Sequence, residues 1–138
     1  MSPNPLKALA IFELATAVGL FLFWIAFFTI GLAPAHPPPG YLAFEHAFPV
    51  PDIVLALTLL AAGSRLLSQR REQRRNGQTL SLVAGGALIF LGLLDVSFNL
   101  QQGMYTHGLW DTLLAVAINS WCIGFGLFVA VRCARFVG

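Results

Sequence analysis

A single carboxylate, Asp95, lies well inside an apolar run of membrane-crossing length, Leu80 to Gln102 (LSLVAGGALIFLGLLDVSFNLQQ). At about 1.5 Å of rise per residue it is about 22 Å from Leu80, on the outer side of the midplane of a hydrocarbon core roughly 30 Å thick. An acid near the centre of a bilayer costs on the order of 2.5–3.5 kcal/mol on insertion scales, so it is expected to face protein or water rather than lipid. Asn99 follows one helical turn later. Ser81, Gly85, Leu88, Gly92, Asp95, Asn99 and Gln102 recur alternately four and three apart. Leu88 aside, they form one stripe of small and polar side chains, which is what close helix approach in lipid requires. Thr112, Ala115, Asn119, Cys122, Gly126, Ala130 and Cys133 form a second such stripe further on. A protonatable or cation-binding carboxylate with amide partners is the chemistry these residue types support.

Other polar residues divide unevenly. Glu45, Asp52 and Asp111, the histidines His36, His46 and His107, and the amides Gln101 and Gln102 fall toward the same side as Asp95. No Lys or Arg is there to neutralise them, so the site suits a proton, a metal ion or an organic cation. Asp52 and Asp111 each open a helix, where capping alone accounts for an acid. Glu13 sits between Ala10 and Ala17 on its face of the first span, nearer the other surface. Headgroup contact or pairing with Lys7 or a tail arginine competes there with a functional role. His46, His107 and Asp111 are the residue types of zinc and copper sites. No histidine pair has i, i+4 spacing, so solvent-facing side chains explain them better, and no metal or other cofactor is expected. Ser97 and Ser120 lack a nucleophile-elbow context, and Cys122 lies mid-span among apolar neighbours.

The elements that must position these groups follow from composition. The chain is 57% hydrophobic and 10% charged, against about 25% charged in soluble domains, and so belongs in a lipid bilayer rather than with nucleic acid. Its 138 residues fit one domain of four spans, at about 6–32, 52–67, 80–102 and 111–131. Pro34 is expected to end the first span. The proline-rich stretch 33–51 then encloses GYLAFEHAF, read as a short amphipathic helix at the interface or lidding the bundle. Ser68 to Gln78 (SQRREQRRNGQ) is a basic loop closed by an Asn76-Gly77 turn signal. The first apolar run has no small-residue cleavage site and is read as a retained span. Cys122 and Cys133 lie eleven residues apart on one predicted helix. That is roughly 16 Å along the axis, whereas a disulfide needs Cα atoms within about 7 Å.

All eight basic residues lie near the N-terminus, around the arginine loop or near the C-terminus. The positive-inside rule therefore puts both termini in the cytoplasm. Preference for Arg over Lys, with much Ala and Gly, points to the inner membrane of a GC-rich bacterium.

The expected fold is all-α: a polytopic four-transmembrane-helix bundle with a short interfacial helix in the first outer loop. The leading functional expectation is binding, with transport as an extension, of a small cation, proton or organic ligand. Its outward-facing polar pocket would be built from Asp95, Asn99, Gln102 and Asn119 under Glu45 and Asp52, with Glu13 as a further candidate. A homo-oligomer would enclose a path more readily than one copy. One alternative is a non-catalytic accessory subunit of a larger membrane complex, with the small-residue stripes as docking faces. Another is a membrane enzyme acting on a lipid or quinone, using Asp95 or Glu45 with His46 or His107 as acid and base; the spans carry no catalytic spacing that favours it.

Overall fold

The computed structural model describes residues 4–106 and 108–135. Its elements are helices α1 (Lys7–Thr29), α2 (Tyr41–Glu45), α3 (Pro49–Leu66), α4 (Arg71–Gln101) and α5 (Leu109–Ala134), with a 3-10 turn at Met104–Thr106. No strand occurs among the described residues. Four stretches are long and apolar enough to cross a membrane: α1, α2 with α3, α4 and α5. His107, one of the candidate metal ligands, lies outside the described residues.

The helix ends differ in places from the sequence expectation, each for a local reason. α1 stops at Thr29, short of Pro34. Gly31, at φ +85°, takes the left-handed conformation that terminates helices, and its N–H donates back to Ala26 O at 3.1 Å. α3 starts at Pro49, three residues before the expected Asp52. Prolines are tolerated there because first-turn N–H groups have no intrahelical partner to lose.

The largest departure is at the arginine loop. α4 begins at Arg71 and carries Arg74, Arg75, Asn76 and Gly77 within its first two turns, so the link from α3 shrinks to Leu67–Arg70. Arg74 Nη1 folds back over this link, donating to Ser68 O and Gln69 O at 3.0 Å each. Gly77 makes a helix crossing instead of a turn. A Cβ there would sit 3.0 Å from Leu66 N and 3.1 Å from Ala62 O, so only glycine lets α3 and α4 approach so closely.

Sequential helices pack on one another: α1 on α3, α3 on α4, α4 on α5. The stripe on α4 faces inward as its spacing requires, with Ser81, Gly85, Leu88, Gly92 and Asn99 buried. On α5 the inward residues include Asn119, Gly126 and Cys133. Leu9, Leu59, Leu66, Leu88 and Val129 fill the centre. Large apolar side chains such as Leu22, Ile25, Val54, Phe90 and Leu127 face outward, which suits a helix bundle surrounded by acyl chains. Both cysteines are free thiols. Closure of the ring is incomplete: α1 and α5 almost nowhere bring their backbones together and touch through side chains instead. Trp121 Nε1 donates to Thr16 Oγ1 at 3.0 Å, and Phe12 packs on Trp121 and Phe125.

The antiparallel order brings Lys7, Arg65, the arginines at the start of α4, Arg132 and Arg135 to one end of the bundle. There Asn4 Nδ2 donates to Leu66 O at 2.8 Å and Arg132 Nη2 to Pro5 O at 3.2 Å, tying the first residues to the ends of α3 and α5. The opposite end carries α2, the 3-10 turn and four of the six acids: Glu45, Asp52, Asp95 and Asp111.

Candidate functional site

At the acidic end the helices enclose a cavity of about 680 Å³. It is lined by residues of α1, α2, α3, α4 and α5, and Glu45, Asp52, Asp95, Asp111, Asn99 and Asn119 all contribute to its wall. Most of the remaining wall is aromatic or aliphatic, including Phe12, Phe23, Trp24, Phe27, Tyr41 and Phe48. Few polar groups converging inside a mostly apolar hollow of this size is the usual make-up of a small-molecule site.

Each acid is held differently. Asp52 lies in the first turn of α3 without capping it; the N-cap is Phe48, and no side chain caps that end. The buried Asp52 carboxylate instead accepts from Trp24 Nε1 of α1 at 2.8 Å. Trp24 is thereby fixed among Phe23, Phe27 and Phe28, whose rings lie 5.1–5.7 Å from its own. Asp95 accepts from Asn99 Nδ2, one turn along α4, at 3.3 Å, and Asn119 of α5 lies beside it. Glu45, half-buried, faces both Asp95 and Asp52 from α2. Tyr41 is close to Glu45, Asp95 and Asp111. α2 is seated by ring contacts with α4: Phe44 stacks on Phe98 with centroids 4.0 Å apart, and Tyr41 lies 6.3 Å from the same ring.

Asn119 supplies the most informative atom. The residue is 4% exposed. Its Nδ2 donates to the Tyr105 hydroxyl at 2.7 Å, and Thr112 Oγ1 anchors the Tyr105 carbonyl at 2.8 Å. Asn119 Oδ1, however, is buried with no donor among the described residues. A buried amide oxygen left without a partner costs roughly 1–3 kcal/mol, so a donor at this point is stabilising.

Three expected site residues fall elsewhere. Gln102 is exposed and off the cavity wall, because α4 ends at Gln101 and Gly103, at φ +65°, turns the chain away. His46 is exposed outside the cavity, its ring 5.8 Å from Phe28 and 6.4 Å from Phe27. Among the described residues no group of three or more His, Cys, Asp and Glu side chains is arranged to hold a metal ion. Glu13 lies toward the arginine end, fully buried rather than facing headgroups, with Ser81 and Cys133 beside it. Neither Glu13 oxygen accepts a hydrogen bond among the described residues. Substituting Glu13→Leu should therefore stabilise the bundle by about 1–3 kcal/mol, since it removes an unsatisfied polar group while keeping much of its volume. Thermal exposure of the buried Cys133 thiol in detergent reads this out; an unchanged or lowered midpoint would show that the acid has a partner.

No spacing in the sequence marks Trp24, Tyr105 or the aromatic wall as site residues. Trp24 stands on the inward stripe of α1, and a tryptophan N–H on a buried face always needs an acceptor. Tyr105 sits in a loop, where an aromatic looks like an interfacial anchor. Comparison with family models, with curated proteins and with solved structures finds no match for this chain.

Proposed function

We propose that this protein binds a small organic cation in the acidic cavity. The carrying observation is that Glu45, Asp52, Asp95 and Asp111 line one cavity together with Asn119, whose Oδ1 is buried without a partner among the described residues. No Lys or Arg occurs between residues 8 and 64 or between 76 and 131, the segments that build the wall. A ligand with positive charge and N–H donors satisfies both needs. Aromatic rings around the acids add cation–π attraction, worth about 0.5–2 kcal/mol per contact. A bare metal ion fits less well, because hard cations take six or more oxygen ligands and the wall is mainly hydrocarbon. In this reading the chain is a multi-pass protein of a bacterial inner membrane, its arginine end cytoplasmic and its cavity facing outward under the interfacial helix α2.

The subunit alternative drew on small-residue stripes as docking faces. Gly85, Gly92 and Gly126 lie against the neighbouring helix of the same chain, so those stripes need no partner.

Titration of the purified protein in lipid nanodiscs with benzylammonium, followed by quenching of its tryptophans, tests the reading. Benzylammonium is expected to saturate a single site, and the neutral isostere benzyl alcohol to leave fluorescence unchanged. Equal responses to the two, or none to either, would overturn it.

A further inference from the structure

Three features of the cavity remain unused by a water-soluble cation: its size, its apolar wall and its position beside the open seam between α1 and α5. Along that seam the wall includes Gly19 of α1 and Ala117 of α5, both exposed. Because α1 and α5 almost nowhere bring their backbones together at this wall, the cavity opens sideways between them. Gly19, which lines the cavity, has no atom of another element within 4 Å of where a Cβ would stand, so no side chain fills this part of the seam. Below it the seam is held shut by the Trp121–Thr16 hydrogen bond and by the Phe12 ring of α1, which packs on Trp121 and Phe125 of α5. Both flanking helices are long and apolar enough to cross a membrane, and in a bilayer the opening would face hydrocarbon.

We propose that the ligand is an amphiphilic amine, a cationic head on an apolar tail, which passes between α1 and α5 directly from the lipid. This rests on the cation-binding reading above and names its ligand class. The head meets the carboxylates and the unpartnered Asn119 Oδ1, while the tail lies along the aromatic wall and out through the seam. An ammonium group donates N–H bonds, which is what that buried oxygen lacks. A membrane-partitioned ligand also explains why the opening is lined by small side chains and not by charges.

The probe is 11-bromoundecylammonium, whose bromine quenches tryptophan, added to the protein in nanodiscs of neutral lipid. Gly19→Phe places a ring in the opening; Gly86→Phe adds the same bulk on an exposed face of α4 where nothing lies within 4 Å of the new Cβ. Stopped-flow quenching is expected to show association and dissociation of the probe both slowed at least tenfold in Gly19→Phe, and unaltered in Gly86→Phe. A parallel slowing of both rates is the mark of a gate. Equal rates in Gly19→Phe and the native chain would overturn lateral access, and faster dissociation with lost affinity would place Gly19 in the binding site instead. If the native chain binds benzylammonium but not the bromoalkyl probe, the amphiphile inference fails while the cation reading stands. Failure to bind either amine would remove both.

Discussion

Gly126→Leu is expected to leave the helices of this protein intact and to separate two of them. A Cβ at position 126 would stand 2.8 Å from Gly85 O, 2.8 Å from Ile89 Cγ1 and 3.1 Å from Ile89 N. Reciprocally, a Cβ at Gly85 would meet Gly126 O at 3.0 Å. Two of the three obstacles at 126 are backbone atoms of α4, which cannot swing aside as a side chain tip would. Overpacking costs about 1–3 kcal/mol where neighbours can give; at a backbone-to-backbone crossing the upper end or beyond is expected, about 3 kcal/mol or more. Each span still satisfies its own hydrogen bonds in lipid, so circular dichroism should barely change. The change appears in tertiary packing: Cys133, fully buried two turns further along α5, should react with maleimide many degrees earlier on heating. Gly86→Leu, one position from Gly85 but open on its outer side, should shift that midpoint by no more than about 0.5 kcal/mol equivalent. Equal midpoints for the two variants would mean that α4 and α5 do not cross where the glycines meet.

That crossing also shows what the sequence made legible. The four-and-three spacing of small and polar residues identified the inward faces of α4 and α5, because a helix buries one stripe and periodicity reveals which. The spacing alone puts Asp95, Asn99 and Asn119 on the inward stripes. Long-range pairings left no periodic trace. Asp52 looked complete as a helix-start acid, and only the tertiary fold brings Trp24, twenty-eight residues away, to its carboxylate. Asn76-Gly77 carried a local turn signal that packing overrode, since Gly77 was needed for the contact with α3. Gln102 continued the stripe in sequence, but the helix ended one residue before it. The open seam was invisible for the same reason: stripes say which faces are buried, not whether the last helix closes on the first.

Two acids inside the spans, the half-buried Asp95 and the fully buried Glu13, stand in opposite circumstances. Asp95 has amide company and an open volume in front of it. Glu13 has neither: it is packed at the level of Ser81 with no donor and no place among the cavity-lining residues. Burial alone therefore does not identify a binding carboxylate. What distinguishes Asp95 is the free volume in front of it, shared with three further acids and with Asn119, whose Oδ1 has no donor among the described residues.

Asp95→Asn is accordingly expected to weaken benzylammonium binding about 100-fold, close to 2.7 kcal/mol, while leaving the fold unchanged. The substitution is isosteric. Its new Oδ1 can still accept from Asn99 Nδ2, so the internal hydrogen bond of α4 survives and the Cys133 midpoint should not move. What disappears is one formal charge in a hollow where no basic residue competes for the ligand. Screening by salt is weak in such a place, so the deficit should persist at high ionic strength, unlike that of a surface charge. Glu72→Gln, an exposed acid at the arginine end, removes the same charge from the chain and should leave affinity within about twofold. Should Asp95→Asn and Glu72→Gln bind benzylammonium equally well, the charge in the cavity is not what recognises the cation. The enclosed volume would then have to be read as a purely apolar pocket, with Asn119 Oδ1 still wanting a donor.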